Sequence, residues 1–89
     1  MTIREDELLI LKALADETRL KILKFLMDGE RCVCEIFPFV KRTQSTISIQ
    51  LDILKKAGIV ESRREGKKVY YYIKNKKVDK ILKTLENRY

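Results

Sequence analysis

The residues best suited to chemistry in this 89-residue chain are Cys32 and Cys34, which are separated by a single residue. Thiolates bind soft ions and react with oxidants, whereas a buried cysteine can also serve as a small apolar side chain. Two cysteines placed this close together cannot build a disulfide framework, so the cysteine count does not indicate secretion. The pair is therefore metal-binding, redox-active or structural, and the sequence leaves these three roles open.

Histidine is absent from the chain. This excludes a Ser-His-Asp triad, a Cys-His pair and any imidazole metal ligand. The sequence also has no recognisable carboxylate dyad and no glycine-rich loop that would cradle a phosphate. We therefore expect a protein that is not an enzyme.

The charge is distributed unevenly along the chain. Residues 1–30 carry 5 basic and 7 acidic side chains, whereas residues 41–89 carry 14 basic and 5 acidic ones, within a total of +7. A one-sided positive field indicates a polyanionic partner. No apolar run approaches the ~18–20 residues of a membrane span, and the acidic first residues lack the order of a signal peptide. We therefore expect a cytoplasmic protein.

Hydrophobic periodicity and capping residues predict five helices and one hairpin. Asp16 and Thr43 are the predicted N-caps, and a change to β-branched and aromatic residues around a turn at Glu65-Gly66 predicts the hairpin. The predicted helices cover residues 5–15, 17–28, 32–39, 44–57 and 76–89, the last one ending at Tyr89. The whole chain, 1–89, is thus expected to be a single domain.

The two central predicted helices are joined by about four residues. A short helix, a tight link and a longer capped helix form the helix-turn-helix pattern, and a hairpin that follows directly makes it a winged helix. The expected fold class is mainly α with a β-hairpin wing, in the order α-α-α-α-β-β-α.

The second helix of this motif has the composition of a DNA recognition helix. Its outward face is small and polar apart from Ile49, which could contact a thymine methyl group, while Gln44 could read adenine. The hairpin tip, residues 63–68, holds four cations suited to phosphates or a narrow minor groove. The predicted DNA-binding residues are Thr43, Gln44, Ser45, Ser48, Ile49, Lys56, Arg63, Arg64, Lys67 and Lys68.

The two terminal helices carry more apolar residues than one small core can absorb. Pairing across a two-fold axis would bury them and would place two recognition helices ~34–36 Å apart on a palindromic double-stranded DNA operator. The predicted homodimer interface consists of Leu8, Leu9, Leu11, Val78, Ile81, Leu82 and Leu85.

Four stretches of the sequence match one family in order. They are ALADETRLKIL (13–23), RCVCEI (31–36), TQSTISIQLDILKKAGIV (43–60) and SRREGKKVYYYI (62–73). The chain resembles the ArsR/SmtB family of metal-responsive repressors. The resemblance implies a dimeric winged-helix repressor that leaves its operator when an effector binds. It also places Gln44, Ser45, Ser48 and Ile49 on the family's recognition helix, and Gln50 where the family often has histidine.

Within this resemblance, Cys32 and Cys34 look like the thiolate site of the arsenic- and antimony-sensing branch. As(III) and Sb(III) are soft, trigonal-pyramidal ions, and soft ions select thiolates. Arg31 and a helix N-terminus would favour the thiolate form. Residues i and i+2 of a regular helix point ~200° apart, so one ion would have to distort the first turn of this helix to hold both sulfurs. That distortion would move residues 43–57.

The match to the arsenic-sensing branch is incomplete. A third cysteine often lies three residues after the second one, and here that position is Phe37. The third ligand could be a small thiol, hydroxide or water, or two thiolates could suffice. No cofactor is expected for folding, and without histidine the family's zinc, nickel and cobalt sites are not expected.

Two alternatives to this interpretation remain. The same cysteine pair could make a thiol-redox-responsive repressor, or the chain could be a DNA-binding protein that responds to no effector. A winged-helix module that binds only proteins is a further possibility, for which a salt-independent interaction would be expected.

Overall fold

The computed structural model describes residues 2–86, so the predicted end of the last helix, including Tyr89, lies outside the described residues. This part of the chain forms five helices and three strands. In chain order these are α1 (Glu5–Leu14), α2 (Glu17–Leu26), β1 (Arg31–Cys32), α3 (Val33–Val40), α4 (Gln44–Lys56), β2 (Val60–Glu65), β3 (Lys68–Ile73) and α5 (Lys76–Glu86). Within residues 2–86, every helix is too short or too polar to cross a membrane.

Both predicted N-caps are confirmed. The carboxylate of Asp16 accepts a hydrogen bond from the backbone N–H of Arg19 at 3.0 Å, and Thr43 Oγ1 accepts one from the N–H of Thr46 at 3.1 Å. Each bond satisfies an N–H group that has no partner inside its own helix. The second cap fixes where the recognition helix α4 begins.

The core lies between the helices and one face of the sheet. α4 contributes Ile47, Leu51 and Leu54, which are fully buried, and its opposite face is exposed, as the sequence predicts. The other fully buried large side chains come from α2, α3, β2, the loop before it and α5. They are Ile22, Leu23, Ile36, Ile59, Val60, Val78 and Leu82. The orientation of the exposed face of α4 is therefore fixed by the buried side of the same helix.

The sheet has three antiparallel strands in the order β1-β3-β2. β2 and β3 form the predicted wing, joined by a two-residue turn in which Gly66 has φ +61°, a conformation that favours glycine. β1 was not predicted, so the order gains a strand between α2 and α3. β1 pairs Arg31 with Tyr71 and Cys32 with Tyr70, which places the first cysteine beside the wing.

Candidate nucleic-acid interface and thiol site

The predicted contact residues of α4 and its cap lie on the solvent face. Thr43, Gln44, Ser45 and Ser48 are exposed, and Ile49 is 61% exposed although it is a large apolar side chain. Lys56 is also exposed, and its Nζ lies 2.9 Å from the Asp52 carboxylate. This face combines short polar groups with one apolar contact, which suits a helix that enters the major groove.

The tip of the wing carries cations without protein partners. Arg64, Lys67 and Lys68 are exposed, and none of them forms an ion pair with any other residue between 2 and 86. Cations placed on a projecting turn without a competing carboxylate are available to a phosphate.

Arg63 differs from the other cations of the wing, because it already has a carboxylate partner within the chain. Its Nε and Nη2 donate to the two carboxylate oxygens of Glu30 at 2.7 and 2.6 Å, and its guanidinium lies 4.5 Å from the centre of the Tyr70 ring. The hydrogen bond from Arg63 holds the pKa of Glu30 below its ordinary value, and the same bond raises the pKa of Arg63. Arg63 therefore fastens the base of the wing to the α2–β1 loop.

Cys32 and Cys34 lie at the start of α3, where the wing meets the helix-turn-helix. Cys32 is 3% exposed and is the N-cap of α3, whereas Cys34 is exposed. Cys32 Sγ accepts the backbone N–H of Cys34 at 3.1 Å, and the Glu35 carboxylate accepts the N–H of Cys32 at 3.1 Å. This arrangement is a capping box in which sulfur takes the place of the usual hydroxyl oxygen.

The prediction that the two sulfurs point ~200° apart is wrong. Because α3 begins at Val33, Cys32 keeps an extended backbone with φ −70° and ψ 144°, and only Cys34 belongs to the helix. The two Cα atoms are 5.1 Å apart and the sulfurs are joined as a disulfide. The pair can therefore act together without the first turn of α3 being distorted.

Arg31, which was expected to favour the thiolate form, contacts Phe25 and Glu35. Neighbouring strand residues point to opposite faces, and Arg31 lies over the Phe25 ring at 4.4 Å, with Nη1 3.9 Å from the Glu35 carboxylate. In residues 2–86 no cluster of three or more cysteine, aspartate or glutamate side chains could hold a metal ion.

An open groove of about 490 Å³ connects the thiols to the predicted DNA-binding surface. One wall comes from α3, another from α4, and the third from the wing. The lining residues are Cys32, Val33, Cys34, Phe37, Gln44, Ser48, Leu51, Lys67, Lys68, Val69 and Tyr71. A ligand held by the cysteines would therefore share its groove with two recognition-helix residues and two wing lysines.

Arg19 is a positioning residue that the sequence analysis missed. Its Nη1 donates to Gln50 Oε1 on α4 at 2.7 Å, and its Nε donates to the Ala13 carbonyl at the end of α1 at 2.7 Å. Gln50, noted only as a replacement for histidine, is thus the acceptor that joins α4 to the α1–α2 corner. Neither periodicity nor charge signals this pair, because its members lie 31 residues apart.

The apolar residues of the terminal helices divide into two groups. Leu8, Leu9, Leu11, Ile81 and Leu85 are exposed, with Leu11 at 56% and Leu85 at 68%. Val78 and Leu82 are instead buried in the chain's own core, so their prediction as dimer contacts is corrected. Leu11 and Ile81 line one shallow groove between α1 and α5, so the exposed residues of the two helices meet.

Two protein relatives resemble the chain over much of its length. An uncharacterised HTH-type transcriptional regulator of Methanocaldococcus jannaschii is 50% identical over 78 residues, covering 86% of this chain and 88% of the relative. The cadmium resistance regulatory protein CadC of Listeria innocua is 47% identical over 68 residues, covering 75% of this chain and 57% of that protein.

Solved structures share the fold. HlyU from Vibrio cholerae superposes with a TM-score of 0.86 at 34% identity, over 90% of this chain and 87% of HlyU. A winged helix-turn-helix domain from Mycobacterium bovis is described as homodimeric and as a possible ArsR-family regulator. It superposes with a TM-score of 0.86 at 36% identity, over 92% of this chain and 76% of the Mycobacterium bovis chain.

The family model of bacterial regulatory proteins of the arsR family matches residues 16–62, which run from the Asp16 cap into the first strand of the wing. Relatives that are described as transcriptional regulators agree with this match. The chain therefore belongs to the ArsR family of winged-helix DNA-binding transcriptional regulators, and it is not an enzyme.

Proposed function

We propose that this regulator is a homodimeric repressor of a palindromic operator, and that As(III) or Sb(III) releases it by binding Cys32 and Cys34. The observation that carries the proposal is the shared groove: both cysteines line the same cleft as Gln44 and Ser48 of α4 and as Lys67 and Lys68 of the wing. Sensing and DNA binding are thus adjacent in one protomer. Because the operator DNA of such a repressor lies in the cytoplasm, we expect the protein to act in that compartment.

DNA binding divides between two elements. α4 presents Gln44, Ser45, Ser48 and Ile49 to base edges, with Thr43 and Lys56 at its two ends. The wing tip supplies Arg64, Lys67 and Lys68 to phosphates. Base contacts of α4 determine which DNA sequence is preferred, and phosphate contacts of the wing determine the position of the protein on the duplex and its affinity.

Dimerisation rests on the exposed apolar surface of α1 and α5, formed by Leu8, Leu9, Leu11, Ile81 and Leu85. The chain acts as one winged-helix domain, 1–89, whose terminal helices bury this surface against a second copy. The Mycobacterium bovis domain, which has the same fold and is described as homodimeric, supports this arrangement.

Release follows from where the ion binds. Once a cellular thiol reductant has converted the disulfide at the start of α3 into two thiols, an ion bridging the two sulfurs would bring new atoms into the groove between α4 and the wing. Those two elements could then no longer fit one DNA duplex together. Relatives named for resistance to cadmium and mercury support a soft ion as the effector. Three-coordinate As(III) and Sb(III) suit a site that offers two thiolates and an open side.

The disulfide favours a second candidate function. Oxidation that joins Cys32 to Cys34 could itself change DNA affinity, because the bond lies in the same groove. Vibrio cholerae HlyU, a structural relative, is also known in a form described as reduced. In this alternative an oxidant is the signal and no ion is required.

A fluorescence-anisotropy experiment on the protein's own upstream DNA separates these functions. The reduced complex is treated in parallel with arsenite, antimonite, Cd(II), Zn(II) and diamide. Release by arsenite and antimonite under reducing conditions supports the proposal, whereas release by diamide alone supports the redox function. Release by Zn(II) but not arsenite contradicts the effector assignment. Absence of binding to any upstream DNA at low salt contradicts the repressor function itself.

A further inference from the structure

We propose that the groove between α3, α4 and the wing binds a small anionic thiol, which supplies the third sulfur to an As(III) or Sb(III) ion held by Cys32 and Cys34. This inference rests on the proposed function, because it concerns the third ligand in the coordination of the effector ion. The ligand class is a low-molecular-weight thiol that carries one or more carboxylates.

Coordination is the first argument. As(III) forms three bonds. A thiol reductant that opens the Cys32–Cys34 disulfide would leave two thiols at this point, and within residues 2–86 no suitable cluster supplies a third protein ligand. Phe37 lines the same groove, and its side chain cannot bind an ion. With reduced cysteines, each of the three As–S bonds replaces one As–OH group, and each thiol proton leaves with that hydroxide as water. The oxidation state of arsenic does not change.

The size of the groove is the second argument. Its volume of about 490 Å³ lies in the range of small-molecule sites, which is roughly 300–1,000 Å³. A hydroxide or a water molecule as third ligand would fill little of this space. Val33, Leu51 and Val69 give the groove apolar walls that suit the carbon skeleton of an organic thiol.

Charge is the third argument and identifies the chemical class. Lys67 and Lys68 line the same groove as the cysteines, and neither one is paired with a carboxylate of the described chain. Cys34 is exposed, so a thiol whose sulfur is bound to the ion on the cysteine pair would place its carboxylates near these ammonium groups. A cationic thiol would be repelled by them. The same lysines are the predicted phosphate contacts, so the bound anion would occupy cations that DNA requires.

The test measures arsenite binding to the reduced, DNA-free protein in a buffer that contains a phosphine reductant and no thiol other than the one under test. The ultraviolet absorption of As–thiolate bonds reports the binding. Titrations are repeated with anionic mercaptosuccinate, neutral mercaptoethanol and cationic cysteamine. The wild type is compared with the double variant K67Q/K68Q. A second double variant, K76Q/K77Q, removes two adjacent exposed lysines outside the groove. Comparing variants at one fixed thiol concentration cancels the arsenite that each thiol binds in solution.

We expect the wild type to bind arsenite with mercaptosuccinate about fivefold to tenfold more tightly than K67Q/K68Q does, since each ion pair contributes modestly. K76Q/K77Q should match the wild type, and with cysteamine the preference should vanish or reverse. Native mass spectrometry should give one arsenic and one mercaptosuccinate per protomer. If arsenite binds equally well in all variants and with all three thiols, this inference is wrong while the proposed function stands. If arsenite does not bind with any thiol, both fail. Circular dichroism of each variant verifies that it is folded.

Discussion

At the scale of single residues, partners distant in sequence decide what a side chain does. Arg63 has the charge and the position in the sequence of a wing-tip phosphate contact. Its guanidinium nevertheless donates two short hydrogen bonds to the carboxylate of Glu30, 33 residues earlier. Cys32 likewise becomes a helix cap because α3 starts one residue after it. Each role follows from geometry that residue type alone does not contain.

The Glu30–Arg63 pair predicts a pH dependence of stability. Because the hydrogen bond from Arg63 lowers the pKa of Glu30 from 4.5, this carboxylate stabilises the fold above about pH 4.5 and loses its contribution as pH falls through the lowered pKa. Thermal unfolding followed between pH 6 and about pH 3 should show that the melting temperature falls more steeply with acid for the wild type than for Glu30→Gln. Equal slopes in the two proteins would show that the pair does not stabilise the wing.

The sequence predicted residue exposure well where helical periodicity applied, and poorly where it did not. The buried and exposed faces of α4 came directly from its apolar spacing, and Ile49 was correctly placed outside. The sulfur geometry was not predictable, because it depends on whether the helix begins at residue 32 or 33. Val78 and Leu82 were assigned to a partner because periodicity locates an apolar stripe without saying which part of it the chain's own core covers.

At the scale of elements, we expect α4 and the wing to perform separable tasks on DNA. The middle of α4 presents uncharged polar groups and Ile49, and its one predicted cationic contact, Lys56, lies at its end beside Asp52, whereas the wing tip carries three cations without partners among the described residues. We therefore expect the wing to contribute most of the salt-dependent part of the DNA affinity, and α4 to discriminate among DNA sequences.

Substitutions in the two elements should have different signatures in salt-dependent binding. Arg64→Gln and Lys67→Gln should each weaken binding to all sequences alike and reduce the salt slope by about one for each phosphate that is no longer bound. Ile49→Ala should leave the slope unchanged but cost about 1 kcal/mol on the operator, because alanine no longer reaches the thymine methyl group. Anisotropy titrations on operator and scrambled DNA at several salt concentrations measure both quantities. A change of slope for Ile49→Ala would contradict this division.

The Arg19–Gln50 contact predicts that α4 is held to the α1–α2 corner. Arg19→Ala removes the bonds to Gln50 and to the Ala13 carbonyl, so the free energy of unfolding should fall by about 1–3 kcal/mol. Gln50→Ala should cost less, and Gln50→Glu, which keeps an acceptor oxygen, should remain close to the wild type. Denaturant unfolding gives the three values. Equal stability of Arg19→Ala and the wild type would exclude this role.

Most elements were predictable from the sequence because capping residues and glycines mark their ends. The exception is β1, which has two residues and exists only because Arg31 and Cys32 pair with Tyr71 and Tyr70. A strand this short has no periodicity of its own, and only its partner strand defines it. It nevertheless matters, since it connects the cysteine pair to the wing.

At the scale of the whole molecule, the exposed apolar surface of α1 and α5 predicts the homodimer. Leu85→Lys places a charge within that surface, whereas Thr84→Lys adds the same charge at the neighbouring exposed polar position of α5. Sedimentation velocity should show monomers for Leu85→Lys and dimers for Thr84→Lys. Without the linkage between two half-sites, operator binding should weaken by about 100-fold. A dimeric Leu85→Lys protein would place the interface elsewhere.

The central claim is that a soft ion on the cysteine pair removes the protein from DNA. The most direct measurement is an arsenite titration of the reduced protein–operator complex, followed by fluorescence anisotropy for the wild type, Cys32→Ser and Cys34→Ser. We expect the wild type to leave the operator at about one arsenite per protomer, as one shared site requires. Both variants should bind the operator and remain on it. A wild-type complex that arsenite leaves intact, or release of all three proteins at the same arsenite concentration, would contradict the account.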